Sequence, residues 1–251
     1  MKDELAKQAR FFELGETYYW FSSQNTIVER MLAPIAARLK ADAGGRVLRI
    51  LDLGCGPGNT LHRLMPWGDV FGADFSLDAL AFARTKGIRR VFSGDSTAVP
   101  LASASVDCVV ALDMLEHVEH DRAALDEIRR ILRPNGAFLL AVPAFMALWR
   151  HHDEMYGHFR RYTRAELRRR VRDAGLVIDE TSFFKCAFFV PLWLVARAER
   201  LRVLPRRDNF FSLPAWLNGW LERAIVWEHE SGLARRLPFG VSLLCAGRRG
   251  S

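Results

Sequence analysis

Residues 47–59 constrain the fold of this chain most, because a short apolar run meets a glycine-rich turn there. Val47 to Leu53 is rich in branched side chains, a composition typical of a strand buried on both faces of a parallel sheet. The sequence Gly-Cys-Gly-Pro-Gly follows at 54–58, and glycine allows positive φ and a close backbone approach to a ligand. A helix is predicted from Asn59 onwards. Strand, glycine turn and helix in this order favour a nucleotide-like ligand in a doubly wound fold over an empty turn.

Two acidic residues strengthen the prediction of a nucleoside site. Asp52 lies two residues before the first glycine, and Asp74 ends the next apolar run. An acid at the end of the second strand accepts hydrogen bonds from ribose hydroxyls in such folds. A dinucleotide fingerprint needs its third glycine at position 59, where this chain has Asn59, so the pattern disfavours a nicotinamide cofactor.

The glycine stretch resembles motif I of class I S-adenosylmethionine-dependent methyltransferases, which reads Asp-x-Gly-Cys-Gly-x-Gly. Residues 72–76 are similar to the acid motif of the second strand in the type 11 group, and residues 93–96 resemble its adenine-contacting turn. Leu-Glu-His-Val at 115–118 and Leu-Arg-Pro-Asn-Gly-Ala at 132–137 complete the pattern. The resemblance covers about residues 45–145.

The resemblance implies S-adenosyl-L-methionine as cofactor. It also implies an α/β fold with a doubly wound, seven-stranded, mostly parallel Rossmann-like sheet and a helical insert before the last strand. The first glycines would surround the amino-acid end of the cofactor, and Asp74 would hold the ribose. The implied cofactor contacts are Asp52, Gly54, Cys55, Gly56, Gly58, Asp74, Phe75, Asp95, Ser96, Leu112 and Tyr19.

The length of 251 residues fits one α/β domain with additions. We expect a single methyltransferase domain over residues 1–251, in five segments. These are an N-terminal helical cover (1–44), a cofactor-binding core (45–145), an acceptor loop with a helix and the sixth strand (146–185), an apolar helical insert (186–239) and the last strand (240–251).

Local signals place several boundaries within these segments. Ser76 is predicted to cap a helix, and Asp121 is predicted to cap another. Thr163 and Glu166 have the spacing of a capping box at the start of a third helix. Residues 176–184 are predicted to form the sixth strand.

Methyl transfer from a sulfonium is an in-line displacement, which needs alignment and removal of a proton from the acceptor. The candidate bases are His117, His158 and Tyr156. His117 follows the fourth predicted strand, where the resemblance implies the reactive methyl group. A purely structural role for His117 at a helix start is the alternative.

A second interpretation of the same stretch is a cation site. Side chains at positions i, i+3 and i+4 share one helix face, so the acid–histidine cluster could converge on a metal ion. Similar ubiquinone-pathway O-methyltransferases hold a divalent ion there, whereas many type 11 relatives have Leu-Glu-His-Val without one. We expect no metal. The residues concerned are Asp113, Glu116, His117 and His120.

The stretch His-Phe-Arg-Arg-Tyr at 158–162 resembles a Gly-His-x-Arg-Arg-Tyr element of bacterial type 11 relatives, often from glycan or lipid pathways. Clustered arginine, histidine and tyrosine suit an acceptor that bears phosphate or carboxylate. A loop pinned by arginine to nearby acids is the alternative. The predicted acceptor contacts are Arg160, Arg161, Tyr162 and Trp193.

The net charge of +7 comes mostly from arginine. Such a charge is compatible with binding to nucleic acid, to an acidic membrane surface or to a phosphorylated substrate, and also with a solvated basic face.

A nucleic-acid methyltransferase is disfavoured, because no Asn-Pro-Pro-Tyr-like element follows the fourth strand. O-methylation of a small-molecule, lipid-linked or glycan-pathway acceptor is favoured on family frequency. A catalytically silent binding protein is a further alternative. The pattern indicates no oligomeric state.

Four scattered cysteines without a Cys-x-x-Cys pair predict neither a zinc site nor a disulfide framework, which fits a reducing cytoplasm. No apolar run is long enough to span a bilayer, and the charged start lacks a signal core. The insert is rich in tryptophan and is expected to roof an apolar acceptor pocket. It is also expected to touch the inner face of the membrane transiently.

Overall fold

The computed structural model describes residues 18–205 and 213–250. Seven strands form one sheet in the order β3-β2-β1-β4-β5-β7-β6. The first five are parallel to their neighbours, and β7 is antiparallel to both β5 and β6. The predicted seven-stranded, mostly parallel sheet is therefore confirmed. The strands are β1 (Arg49–Leu53), β2 (Asp69–Asp74), β3 (Val91–Ser93), β4 (Val106–Leu112), β5 (Leu132–Pro143), β6 (Leu176–Phe184) and β7 (Ser242–Arg249).

Helices cover both faces of the sheet. They are α1 (Tyr19–Asp42), α2 (Leu61–Leu64), α3 (Leu77–Thr85), α4 (Asp121–Ile131), α5 (His151–Met155), α6 (Arg164–Asp173), α7 (Phe189–Arg200), α8 (Ala215–Glu230) and α9 (Leu233–Arg236). The part of the predicted N-terminal cover before residue 18 lies outside the described residues.

The apolar run of β4 reflects the position of this strand at the centre of the sheet, between two layers of helices. Successive side chains of a strand point to opposite faces, so Val109 and Ala111 pack against α4 and α6. Cys108 and Val110 pack in the other layer, with α1, α3 and α8. Because β4 is buried on both faces, its sequence is continuously apolar rather than alternating.

Most predicted caps agree with the structure, and one does not. The Ser76 hydroxyl accepts the Ala79 N–H at 3.2 Å, and Thr163 and Glu166 form the expected capping box. The prediction for Asp121 was wrong: it occupies the first helical position of α4, after His120. Its carboxylate is buried and bonded to side chains of other elements, so it is not available to cap the helix.

The insert between β6 and β7 does more than cover an edge of the sheet. Helix α8 packs on α1, where the Thr26 hydroxyl donates to Glu222 Oε1 at 3.3 Å, and Ile225 and Val226 enter the core beside α1. The Tyr19 N–H donates to Asn218 Oδ1 at 2.8 Å. The insert therefore fixes the start of α1. No helix in the described ranges is long and apolar enough to cross a membrane.

Candidate active site

A cavity of about 1020 Å³ opens at the carboxyl ends of the central strands. Leu53 at the end of β1, Asp74 at the end of β2, Asp113 just after β4 and Pro143 at the end of β5 all line it. This edge of an open α/β sheet is where ligands bind, because strand ends and loops converge there.

The glycine turn forms the floor of the cavity, and its glycines have backbone conformations that other residues rarely adopt. Gly54, Gly56 and Gly58 have φ of +80°, +50° and +81°. A Cβ at Gly54 would lie 2.6 Å from Met114 Cγ, whereas a Cβ at Gly56 would meet no atom within 4 Å. The turn is thus packed tightly against the start of the segment after β4 and is open at Gly56.

The carboxylate of Asp74 stabilises this turn. It accepts the Gly56 N–H at 2.7 Å and the Ser76 N–H at 2.8 Å. Asp95 has a similar local role, since it accepts the backbone N–H and the hydroxyl of Thr97, and these bonds hold the pKa of Asp95 below its ordinary value. Both carboxylates line the cavity.

Phe75, Ser96 and Tyr19 also line the cavity. Phe75 is 79% exposed, so its ring is free to pack on a ligand. Tyr19 is buried, and its ring stacks on Phe188 with centroids 5.8 Å apart. Seven of the predicted cofactor contacts therefore meet at one cavity.

Four predicted cofactor contacts do not line the cavity: Asp52, Cys55, Gly58 and Leu112. Cys55 is buried, and a Cβ at Gly72 would lie 2.6 Å from its Sγ, so the thiol fills the space behind the turn. Asp52 is also buried beneath the turn. Burial and the charge of Asp74 raise the pKa of Asp52 to about 7, and its Oδ2 has no hydrogen-bond partner in the described part of the chain.

A histidine pair lies on the acceptor side of the cavity. The rings of His117 and His158 meet edge to face, with centroids 4.6 Å apart. His158 Nδ1 lies 2.9 Å from Asp153 Oδ1. Two of the candidate bases, His117 and His158, therefore come together at one wall, although they lie 41 positions apart in the sequence.

Asp153, to which the sequence analysis gave no role, organises this wall. It is fully buried and accepts bonds from Arg161 Nε at 2.7 Å and from the Arg150 N–H at 2.9 Å. Burial alone would raise the pKa of Asp153, but hydrogen bonds from His158 and Arg161 outweigh it and lower that pKa well below its ordinary value. Asp153 is therefore a permanent anion at this wall. Its place in a loop rich in histidine and arginine was the available signal.

Burial dominates the pKa values of two neighbours of Asp153 and favours the neutral form of each. It lowers the pKa of His117 to about 4, assisted by His158, so the His117 imidazole is neutral near pH 7. It also raises the pKa of Glu116 well above its ordinary value, assisted by Asp113. Ligand atoms of Glu116, His117 and His158 all lie within 4.8 Å of one another, so this trio has the spacing to hold a cation. The predicted cluster with Asp113 and His120 is not the one that converges in the described residues.

The structure does not bring every predicted acceptor contact to the cavity. Tyr162 is buried, and its hydroxyl donates to Asp121 Oδ2 at 2.9 Å, so it supports the core. Arg160 pairs with the same carboxylate at 3.1 Å. Trp193 lies half-exposed on α7, while its neighbour Leu192 lines the cavity. Of the predicted acceptor contacts, Arg161 is the one at the wall; the candidate bases His117, His158 and Tyr156 line it too.

The strand order, the antiparallel last strand and the glycine turn beneath a cavity define the class I methyltransferase fold. A family model described as a methyltransferase domain matches residues 51–140. The chain is 30% identical over 189 residues to a demethylmenaquinone methyltransferase of Renibacterium salmoninarum, covering 73% of this chain and 71% of that protein. It is 31% identical to a malonyl-[acyl-carrier protein] O-methyltransferase of Enterobacter lignolyticus, covering 59% and 61%.

A solved SAM-dependent methyltransferase of Thermotoga maritima has the same fold, with a TM-score of 0.57 at 17% identity over 98% of this chain and 96% of that one. The chain therefore belongs to the S-adenosylmethionine-dependent methyltransferases, and S-adenosylmethionine is its cofactor. It spans about half to two thirds of the length of the first curated relatives it matches.

Proposed function

We propose that the protein transfers the methyl group to a hydroxyl oxygen of a largely apolar, small-molecule or lipid-linked acceptor. The observation that carries this proposal is the Asp153–His158 pair at the wall of the cavity, with His117 beside it. An acid–histidine pair is a common way to remove a proton from a hydroxyl, because the carboxylate orients the ring and stabilises its protonated form.

The cofactor end of the cavity is proposed to comprise Gly54, Gly56, Asp74 and Ser96, with Phe75 on the adenine. S-adenosylmethionine supplies an electrophilic methyl group on a cationic sulfonium. The chain fits such a ligand, since Gly56 leaves the floor open and the carboxylates of Asp74 and Asp113 line the cavity, where anions suit a cationic ligand.

On the acceptor side, Asp153 favours the His158 tautomer that carries hydrogen on Nδ1. Nε2 is then the atom that takes the proton from the acceptor hydroxyl. The His158 ring is held by Asp153 through Nδ1, whereas burial opposes protonation of His117. We therefore assign His158 as the base and His117 as a neutral neighbour that helps to align the acceptor.

The charges at the acceptor wall argue for an apolar rather than a strongly anionic acceptor. Arg161 is engaged by Asp153, and Arg150 is paired with Glu199 at 2.9 Å. Both arginines line the cavity but are already paired with carboxylates, so the described residues of this wall leave little positive charge to recruit a phosphate. The remaining wall includes Leu192 and other apolar side chains. An O-methyltransferase among the relatives supports the choice of oxygen.

A lipid-linked acceptor is supported by the outer face of the insert. On α7, Val190 and Leu194 are 55% and 56% exposed and lie one turn apart on the same side of the helix, and Leu201, which follows the helix, is 67% exposed. On α8, Trp216, Trp220 and Trp227 are 73%, 58% and 65% exposed, again at helical spacing. Exposed tryptophan and leucine beside arginine favour contact with the boundary of a bilayer.

The test is a screen of lipid and small-molecule extracts with S-adenosylmethionine labelled in its methyl group, followed by mass analysis of the product. We expect a labelled methyl ether of an apolar compound. His158→Ala should abolish labelling, while the matched control His62→Ala, an exposed histidine outside the cavity, should not. Label in nucleic acid, or on nitrogen or carbon, would contradict the proposal.

A further inference from the structure

A buried lysine stands immediately after β6 and has no part in the function proposed above. Lys185 has no exposed surface, and its backbone adopts φ of +59°, which is unusual for a lysine. It forms no ion pair with any described residue. A lysine almost never occupies such a position unless its amine has partners.

The partners of the amine are one amide oxygen and two aromatic rings. Lys185 Nζ donates to Gln24 Oε1 at 3.2 Å and lies 4.1 Å from the centre of the Trp20 ring and 4.5 Å from that of Phe184. A cation over an aromatic face is stabilised by the ring quadrupole, most strongly for tryptophan. Trp20 also lines the cavity, so the amine supports one of its walls.

The amide of Gln24 transmits this contact to the cavity. Gln24 Nε2 donates to Asp113 Oδ2 at 2.8 Å, and the side chain is buried. Because its oxygen accepts from Lys185, the nitrogen must face Asp113, so the amine fixes which end of the amide meets the carboxylate. Asp113 lines the cavity, has φ of +48° and precedes Met114, which packs against Gly54.

We propose that Lys185 is a positioning residue which, through Gln24, holds the Asp113 carboxylate against the cationic sulfonium end of S-adenosylmethionine and favours it over the uncharged product. The proposal rests on the proposed function, in which the cofactor lies over Gly54 and Gly56; Asp113 lines the same cavity, and its neighbour Met114 packs against Gly54. It accounts for the buried amine, the oriented amide and the strained carboxylate residue together. Its effect is selective, because S-adenosylhomocysteine lacks the sulfonium charge that Asp113 would attract.

The charged groups around the amine are consistent with this role. Asp113 favours the charged amine, and burial opposes it, so the pKa of Lys185 is lowered to about 7. Glu228 lies nearby in the fold, but its carboxylate accepts the N–H groups of Cys186 and Ala187. Either protonation state of Lys185 retains an N–H that donates to Gln24.

The test measures the affinities of S-adenosylmethionine and S-adenosylhomocysteine by calorimetry in Lys185→Met, Gln24→Leu and the double variant. We expect each single variant to lower the preference for S-adenosylmethionine about tenfold, the scale for a hydrogen bond to a charged group. The double variant should lower it no further, since both residues act through one contact. Lys40→Met is the matched control, because Lys40 also lies over a tryptophan, Trp67, but outside the cavity.

Circular dichroism and thermal melting establish that each variant is folded. If Lys185→Met does not fold, Gln24→Leu and Asp113→Asn carry the test, and an unchanged preference in both would overturn the proposal. Equal weakening of both ligands, additive effects in the double variant, or tighter S-adenosylmethionine binding after removal of the amine would also overturn it. A wild-type chain that binds neither ligand would instead contradict the proposed function.

Discussion

The carboxylate of Asp74 accepts the N–H of Gly56 at 2.7 Å and so joins the end of β2 to the middle of the glycine turn. The acid that is proposed to hold the ribose therefore also stabilises the floor of the site. A carboxylate oxygen has room for more than one donor, so both tasks are compatible.

We expect Asp74→Ala to weaken S-adenosylmethionine binding by about 1–3 kcal/mol, the scale for leaving buried polar groups unpaired. Isothermal calorimetry measures this change directly. Asp78→Ala, which removes an exposed acid four residues later, is the control and should bind normally. An unchanged affinity in Asp74→Ala would remove this residue from the site, and binding of NADH in place of S-adenosylmethionine would contradict the cofactor assignment.

The acceptor wall gives a second prediction. His158→Ala and Arg161→Ala should retain cofactor affinity, because both side chains meet Asp153 rather than the glycine turn. Turnover should fall by about 10²–10⁴ in His158→Ala, the usual contribution of a general base. Arg161→Ala should show a smaller loss, since it removes one of the groups that fix Asp153. Paired measurements of binding and of turnover on the labelled acceptor check this, and a loss of cofactor affinity would mean that the loop closes over the cofactor.

The third prediction concerns the trio of Glu116, His117 and His158. We expect a chelator to have little effect on activity, because burial raises the pKa of Glu116 well above its ordinary value and so disfavours the charged carboxylate that a cation needs. Activity before and after chelation, with and without added magnesium, measures this. A complete loss of activity that added magnesium restores in the wild type, but not in Glu116→Gln, would make the trio a metal site.

Local patterns predicted the parts of this molecule that depend on neighbouring residues in the chain. The capping by Ser76 and the bounds of β6 follow from short-range sequence signals, and both agree with the structure. Short-range signals did not predict, however, which loop side chains point into the cavity and which point into the core. Tyr162 pairs with Ala144 in an isolated parallel bridge, and alternating residues of an extended segment point to opposite sides. Arg161 therefore reaches the cavity, while Tyr162 enters the core.

Long-range polar contacts were also beyond the sequence. Lys185 and Gln24 lie 161 positions apart, and nothing in the residues around either predicts their contact. The same applies to the role of Asp153, whose partners come together through the folding of one loop. The role of a buried charged group depends on the residues packed around it. Those residues come from distant parts of the chain, so the local sequence does not predict them.

Lys185 also yields a prediction for stability against pH. The pKa of Lys185 is about 7 in the folded chain against an ordinary 10.5, so the unfolded chain binds more protons between these values. The free energy of unfolding of the wild type should therefore rise with pH relative to Lys185→Met, by on the order of 1 kcal/mol per pH unit above about pH 7. Urea titrations of both proteins at pH 7, 8 and 9 measure the difference. A difference that stays constant, or falls, would show that the amine keeps an ordinary pKa.

The last prediction separates the acceptor cavity from the outer face of the insert. Trp193 lies outside the cavity, so Trp193→Ala should leave the KM for the acceptor unchanged, whereas Leu192→Ala should raise it. Replacing the exposed tryptophans of α8 by serine should instead reduce flotation with anionic liposomes, because their apolar area is lost from the bilayer boundary. Arg197, exposed on α7, should make that binding sensitive to salt.

Trp67→Phe serves as the control for flotation, since this tryptophan packs near α2, away from the insert. Neutral vesicles should bind less than anionic ones, because the basic residues beside the apolar side chains gain most from acidic headgroups. If the wild-type chain shows no salt-sensitive binding to anionic vesicles, contact with a membrane is excluded. The exposed side chains of α7 and α8 would then have to be covered by protein, and the acceptor would have to reach the cavity from solution.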